Sequence, residues 1–175
     1  MSHPFAPARL VINLRLVAFI VVVSSPFVWC AYASVRYAFN GGIKDHGSYK
    51  EVDLKALGHF NFDQFAGGID DVPAIYRNLD GQRVMLEGFM FSTTRANSVS
   101  EFEFVYNIQK CCFSGPPQVQ ERVFVSCSPG KMIRLNSAYM RVVGTLHVQV
   151  KKEKEGTIQS VYTMDLENAQ PVKGF

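Results

Sequence analysis

At 175 residues, with 47% apolar and 13% aromatic side chains, the chain is long enough for one cored domain plus an extra segment. Its net charge of +3 belongs to one end: three arginines and no acid precede residue 41, and the other 15 basic residues are balanced by 15 acids. A neutral domain lacks the basic footprint of a nucleic-acid binder, so nucleic acid is not expected among its partners.

Arg9 and Arg15 come first, and between Leu16 and Phe39 the only charge is Arg36. The apolar run from Leu16 to Val35 reaches the roughly 20 helical residues needed to span a bilayer core. It predicts a transmembrane helix kinked at Pro26, with Ser24 or Ser25 meeting the carbonyl that proline leaves free. Trp29, Tyr32 and Tyr37 suit the far interface. A secretory signal cut after Ala31-Tyr32-Ala33 competes with this reading. The run is longer than the roughly 7 to 15 apolar residues of a signal core, which favours a retained anchor. Keeping Arg9 and Arg15 inside sets the C-terminal domain outside, so residues 1–39 are expected to make a single pass of a bacterial inner membrane with the domain on the periplasmic or external side.

Residues 40–50, opening with Asn40-Gly41-Gly42, are expected to be a polar tether, and residues 51–175 the domain. Val52 to Leu57 alternates and predicts an edge strand. Phe60 to Ile75 reads as an ordered loop, with Phe60, Phe62 and Phe65 plugging the core and Asp63, Asp70 and Asp71 solvated or capping. A short helix is expected from Pro73 to Asn78. After the turn Leu79-Asp80-Gly81-Gln82 come strand patterns at 83–91, 101–109, 122–127 and 139–150. A charged tip, Lys151 to Gly156, leads to a fifth at 158–166. Gly88 and Gly144 interrupt strands and predict bulges or bends. The expected fold is all-β: a small antiparallel OB-like barrel of five to six strands, preceded by one transmembrane helix.

Several motifs stand in a fixed order. Leu79-Asp80-Gly81-Gln82-Arg83-Val84-Met85-Leu86-Glu87-Gly88-Phe89-Met90 is followed by Cys111-Cys112-Phe113-Ser114-Gly115-Pro116-Pro117. Val143-Gly144-Thr145-Leu146 comes next, and then Gly156-Thr157-Ile158 leading to Val161-Tyr162. From Leu57 to Val172 this order resembles an uncharacterised bacterial exported family, domain of unknown function 3299. The resemblance implies a small OB-like envelope domain and supplies no established activity. Many relatives carry a histidine two residues after the cysteine; Ser114 stands there in this chain, so a Cys–His metal pair is not carried over.

The cysteines are the sharpest chemical feature. On a continuing strand Cys111 and Cys112 point to opposite faces. A hairpin turning near Pro117 and Gln118 sets Cys112 opposite Val123 and Cys127 opposite Ile108, too far apart for a disulfide. Three readings stay open: buried thiols filling the proline turn, a disulfide from Cys127 to one of the pair, or a zinc, copper or redox site built on Cys111, Cys112 and Cys127. His147, or His59, would complete such a metal site. Gly88, Pro116, Pro117 and Gly144 are read as structural. No Ser-His-Asp set, phosphate loop or paired carboxylates stand out, so no catalytic residue, cofactor or small-molecule substrate is assigned. The leading expectation is a non-enzymatic envelope domain, anchored in the membrane, that binds a partner as an accessory subunit of a membrane complex. An envelope metal-binding or thiol-redox protein is the alternative, and an oligonucleotide-binding OB module the third.

Overall fold

A computed structural model describes residues 13–92, 96–108, 117–153 and 156–172, without the side chains of residues 38 and 39. The chain divides into two compact units, Met1–Ala38 and Phe39–Phe175.

The apolar run forms helix α1, Leu14–Phe39, with Pro26 inside it. Proline cannot donate to the carbonyl four residues back. Ser24 Oγ donates to Val21 O at 3.4 Å, and Ser34 Oγ to Cys30 O at 2.8 Å. Ser24 therefore meets the carbonyl of Val21 and not that of Val22, the group Pro26 leaves free.

The second unit begins earlier than its sequence pattern implies. Residues expected as a tether form strand β1, Ile43–Asp45, antiparallel to β2, Lys50–Val52. Lys44 Nζ lies 2.8 Å from Glu51 Oε1, and His46 Nε2 3.0 Å from Glu51 Oε2. The hydrogen bond from Lys44 holds the Glu51 carboxyl below its ordinary value, and the bond from His46 adds to this. A depressed carboxylate contributes stability above its unfolded pKa and loses it as pH falls through the lower folded value. Thermal unfolding of the native chain and Glu51→Gln is therefore expected to show a small gap above about pH 5 that closes in more acid.

Val52 to Leu57 is not an edge strand throughout. Asp53 Oδ1 accepts from Lys55 N at 2.8 Å and Ala56 N at 3.3 Å, which starts helix α2, Leu54–Leu57. Leu54 and Leu57 thereby turn into the core. In the loop that follows, Asp63 Oδ1 accepts from Phe65 N and Ala66 N, and these bonds keep the carboxyl ionised below its usual range. Phe62 is buried and Phe60 packs against the core, but Phe65 is 76% exposed and plugs nothing. Helix α3, Ala74–Arg77, buries Tyr76, whose hydroxyl donates to Ala56 O at 2.8 Å and lies 3.2 Å from Gly41 O.

The remaining strands are β3 (Gln82–Phe91), β4 (Ser98–Val99), β5 (Glu101–Val105), β6 (Arg122–Cys127), β7 (Ile133–Arg134), β8 (Met140–Lys152) and β9 (Ile158–Pro171). Among the described residues seven of the nine strands form one sheet in the order β1-β2-β3-β5-β6-β9-β8, curled far enough for β8 to pair with β3 as well; β4 and β7 pair separately. Two pairings, β2–β3 and β6–β9, are parallel. The expected antiparallel five- to six-stranded OB-like barrel is thus replaced by a mixed, strand-rich sheet with an added N-terminal hairpin and short helices. β1 and β2 extend it beyond β3 to an open edge. Alternation places Met140, Val142, Leu146 and Val148 of β8 inside, against Val84 and Leu86 of β3, Phe104 of β5 and Tyr162 of β9.

Candidate functional site

Of the site residues expected from sequence, the structure describes Cys127, His59, His147, Gly88, Pro117 and Gly144. Cys111, Cys112 and Pro116 lie outside the described residues, and Pro117 leads into a 3-10 turn, Val119–Glu121. That turn shortens the expected hairpin. β5 closes at Val105, opposite Arg122, and Phe104 lies opposite Val123. Cys127 N donates to Ser100 O at 2.8 Å, so Cys127 is not opposite Ile108.

Cys127 aligns with Leu166, Leu166 with Gly144, and His147 with Thr163. Cys127 and His147 therefore stand two strands and three residues apart, about 10 Å across and about 10 Å along the sheet. Cys127 also follows the phase of buried Val123 and Val125, whereas His147 alternates outward from Leu146 and Val148. On opposite faces, they cannot share one ion. Among the described residues no group of three or more His, Cys, Asp or Glu is arranged to hold a metal. His147 instead lies 3.1 Å from Asp165 Oδ2 and 4.0 Å from Asp80 Oδ1, and Asp80 accepts from Val148 N at 2.9 Å. Asp80 thus continues the ladder where β8 runs past the end of β3.

Burial pushes the Cys127 thiol up, outweighing a hydrogen bond with the Ile133 backbone that pulls it down. A raised pKa leaves little thiolate at neutral pH. A variant keeping Cys127 as its only cysteine is expected to react several-fold more slowly than a free thiol with a disulfide reagent at pH 7.5, followed by absorbance of the released thiolate.

Gly144 sits at a register shift between β8 and β9. Gly88 is the last residue of β3 paired with β8, opposite Met140, and precedes Phe89, where pairing with β5 begins. A Cβ at Gly88 would come within 2.5 Å of Val105 O and 3.0 Å of Leu54 Cδ2. Glycine at both places permits close approach of neighbouring backbone.

One concave site emerges that the sequence pattern left unassigned. A cavity of about 470 Å³ opens over β5 and β6, with Phe91, Phe102, Phe124 and the 66%-exposed Met132 among its apolar lining and Glu101 and Glu103 among its polar lining. Its volume falls within the roughly 300 to 1,000 Å³ of ligand pockets. Arg122 Nη1 reaches both Glu103 oxygens, at 3.3 and 3.2 Å, and the guanidinium stands 5.2 Å from the Phe124 ring centroid. Glu103 is thus partnered from the strand beside it. The one signal in the sequence was the alternation Glu101-Phe102-Glu103-Phe104, which puts both acids on one face of β5.

With this geometry in view, residues 61–171 match the family model described as "Protein of unknown function (DUF3299)". The chain belongs to the DUF3299 family. The matched region runs from the loop after α2 to the last residue of β9, and so includes the cavity, Gly88 and Gly144. A crystal structure of a DUF3299 family protein from Pseudomonas aeruginosa PAO1 is similar at 22% identity and a TM-score of 0.43, covering 57% of this chain and 66% of that one. This DUF3299 chain therefore spans just under two thirds of that protein. No curated protein matches it.

Proposed function

We propose that the chain is a non-enzymatic domain of the bacterial cell envelope, held in the inner membrane by α1 with residues 39–175 on the periplasmic side. There it binds a partner as an accessory part of a membrane complex. The observation that carries the anchor is α1 itself: Leu14–Tyr37 has a mean hydropathy of 2.1, and none of its apolar window is buried. Phe19, Ile20, Val22 and Phe27 are each more than half exposed. Apolar side chains of this size gain about 1.5 to 3 kcal/mol each on leaving water, a gain that lipid supplies. Arg15, with no acid before it, supports retention of the N-terminus inside. The neutral domain, with a concave site and no assembled catalytic set among the described residues, supports binding over turnover.

Alkaline carbonate extraction of cells making the full chain or residues 39–175 tests the anchor, and a C-terminal alkaline phosphatase fusion tests the side. The full chain is expected in the membrane with an active fusion, and the shortened chain in the soluble fraction. Release of the full chain by carbonate, a soluble product shortened by removal of α1, or an inactive fusion of intact length each overturns the reading. Co-purification profiles unchanged by removal of α1 overturn its role in placing the domain beside its partner.

A further inference from the structure

Going beyond that reading, we infer that the cavity over β5 and β6 is a binding site for an apolar group carrying one cationic nitrogen. Three observations converge. Its walls are aromatic and thioether surface, from Phe91, Phe124 and Met132. An aromatic face attracts a cation as well as an apolar body, and an exposed methionine adapts its shape to what enters. Next, the described residues lining the cavity include two carboxylates and no basic side chain. An anion entering there meets the repulsion of the Glu101 carboxylate.

The two carboxylates differ in a way that sets the number of cations. Glu103 is engaged by Arg122 and its charge is offset. Glu101 lies two residues away on the same face of β5, about 6.5 Å along the strand. Among the described residues no ion pair engages it. One acid is satisfied from within the fold and one faces solvent at the cavity, so the site is matched to a single ammonium or guanidinium. Arg122, its guanidinium also set over Phe124, holds Glu103 in place, so the lining stands ready without a ligand.

A free amine and a lysine side chain of a polypeptide share this chemistry. The test uses three probes on the full chain in a neutral maltoside detergent: phenethylammonium, N-acetyl-Phe-Lys-amide and phenylacetate. The readout is the ¹³C-methyl signal of Met132. Met85, Met90, Met140 and Met164 are all nearly inaccessible, so their methyls report on the fold and on any detergent effect. A saturable Met132 shift is expected with at least one cationic probe, with phenylacetate weaker by about threefold or more. The tighter of the two cationic probes identifies the source as free amine or polypeptide. Glu101→Gln, on an exposed strand position, is expected to remove most of that preference while leaving the four buried methyls unshifted. No saturable shift with either cation, equal binding of phenylacetate, or undiminished preference in Glu101→Gln overturns the inference. The outcome is independent of where the chain resides, because it is read on purified protein.

Discussion

Replacing Tyr162 by alanine is expected to destabilise the domain by about 3 to 5 kcal/mol, the range for removing a buried aromatic ring. Tyr162 is fully inaccessible, on β9 between β6 and β8, and its hydroxyl donates to Leu57 O at 3.2 Å. Its ring therefore fills the core while its hydroxyl ties α2 to the sheet. Urea unfolding of residues 39–175 measures the loss as a lower midpoint at similar slope. Tyr162→Phe keeps the ring and loses only the hydrogen bond, at a cost of about 1 kcal/mol. The two variants separate packing from tethering. They also separate by pH. Burial, with a smaller contribution from Tyr76, pushes the Tyr162 phenol well above its ordinary value. A raised phenol pKa favours the folded state only while the group stays neutral. Its stabilisation is complete below the unfolded value near 10 and is lost as pH climbs above it. Tyr162→Phe is expected to unfold less steeply than the native chain above pH 10.

Gly144→Ala is expected to cost about 3 kcal/mol, the upper part of the overpacking range, because its obstacle is backbone. A Cβ there would strike Asp165 O and come within 3.0 Å of both Asp165 C and Met164 Cγ. Met164 can turn aside; the Asp165 carbonyl belongs to the β8–β9 ladder and cannot move without breaking pairing. Gly88→Ala meets Val105 O in the same way and is expected to follow. Gly68→Ala is the control: its added Cβ would have only Asp71 Oδ2 nearby, at 4.0 Å, and a change within about 0.5 kcal/mol is expected. Equal midpoints for Gly68→Ala and Gly144→Ala would show that the close approach carries no energetic weight.

The pattern of side chains made some of this legible in advance and hid the rest for identifiable reasons. The apolar run of α1 and the alternation of β3, β8 and β9 are local signals, and they survive into the structure. Gly88 and Gly144 broke that alternation visibly. The hairpin β1–β2 was hidden because Lys44, Asp45, Lys50 and Glu51 form a polar strand pair at an open edge, where no buried face is needed. Asp53 disguised α2: its neighbours alternate as a strand would, but its carboxylate captures two backbone N–H groups and turns the chain. Parallel pairing of β6 with β9 leaves no trace in alternation, since alternation records which face is buried and not which strand lies alongside. Phe65 was misread for a simpler reason, that an aromatic in a stitched loop has no period to show which way it points. The cavity was invisible as a site because Glu101 and Glu103 look like the wet face of any strand. Only the arrival of Arg122 beside one of them, and of Met132 at the lining, distinguishes the two acids.

The place of β9 between β6 and β8 governs the order in which the sheet can assemble. β3, β5 and β6 precede it in the chain, and β8 reaches it through a short hairpin, so the fourteen residues of β9 are the wedge that joins two earlier pieces. Until Ile158–Pro171 has left the ribosome, both β6 and β8 display rows of unanswered N–H and C=O groups, the condition that invites strand exchange between chains. Truncation anywhere before β9 is therefore a route to aggregation, and the local β8–β9 hairpin, forming within microseconds, is the natural nucleus that shortens the hazard.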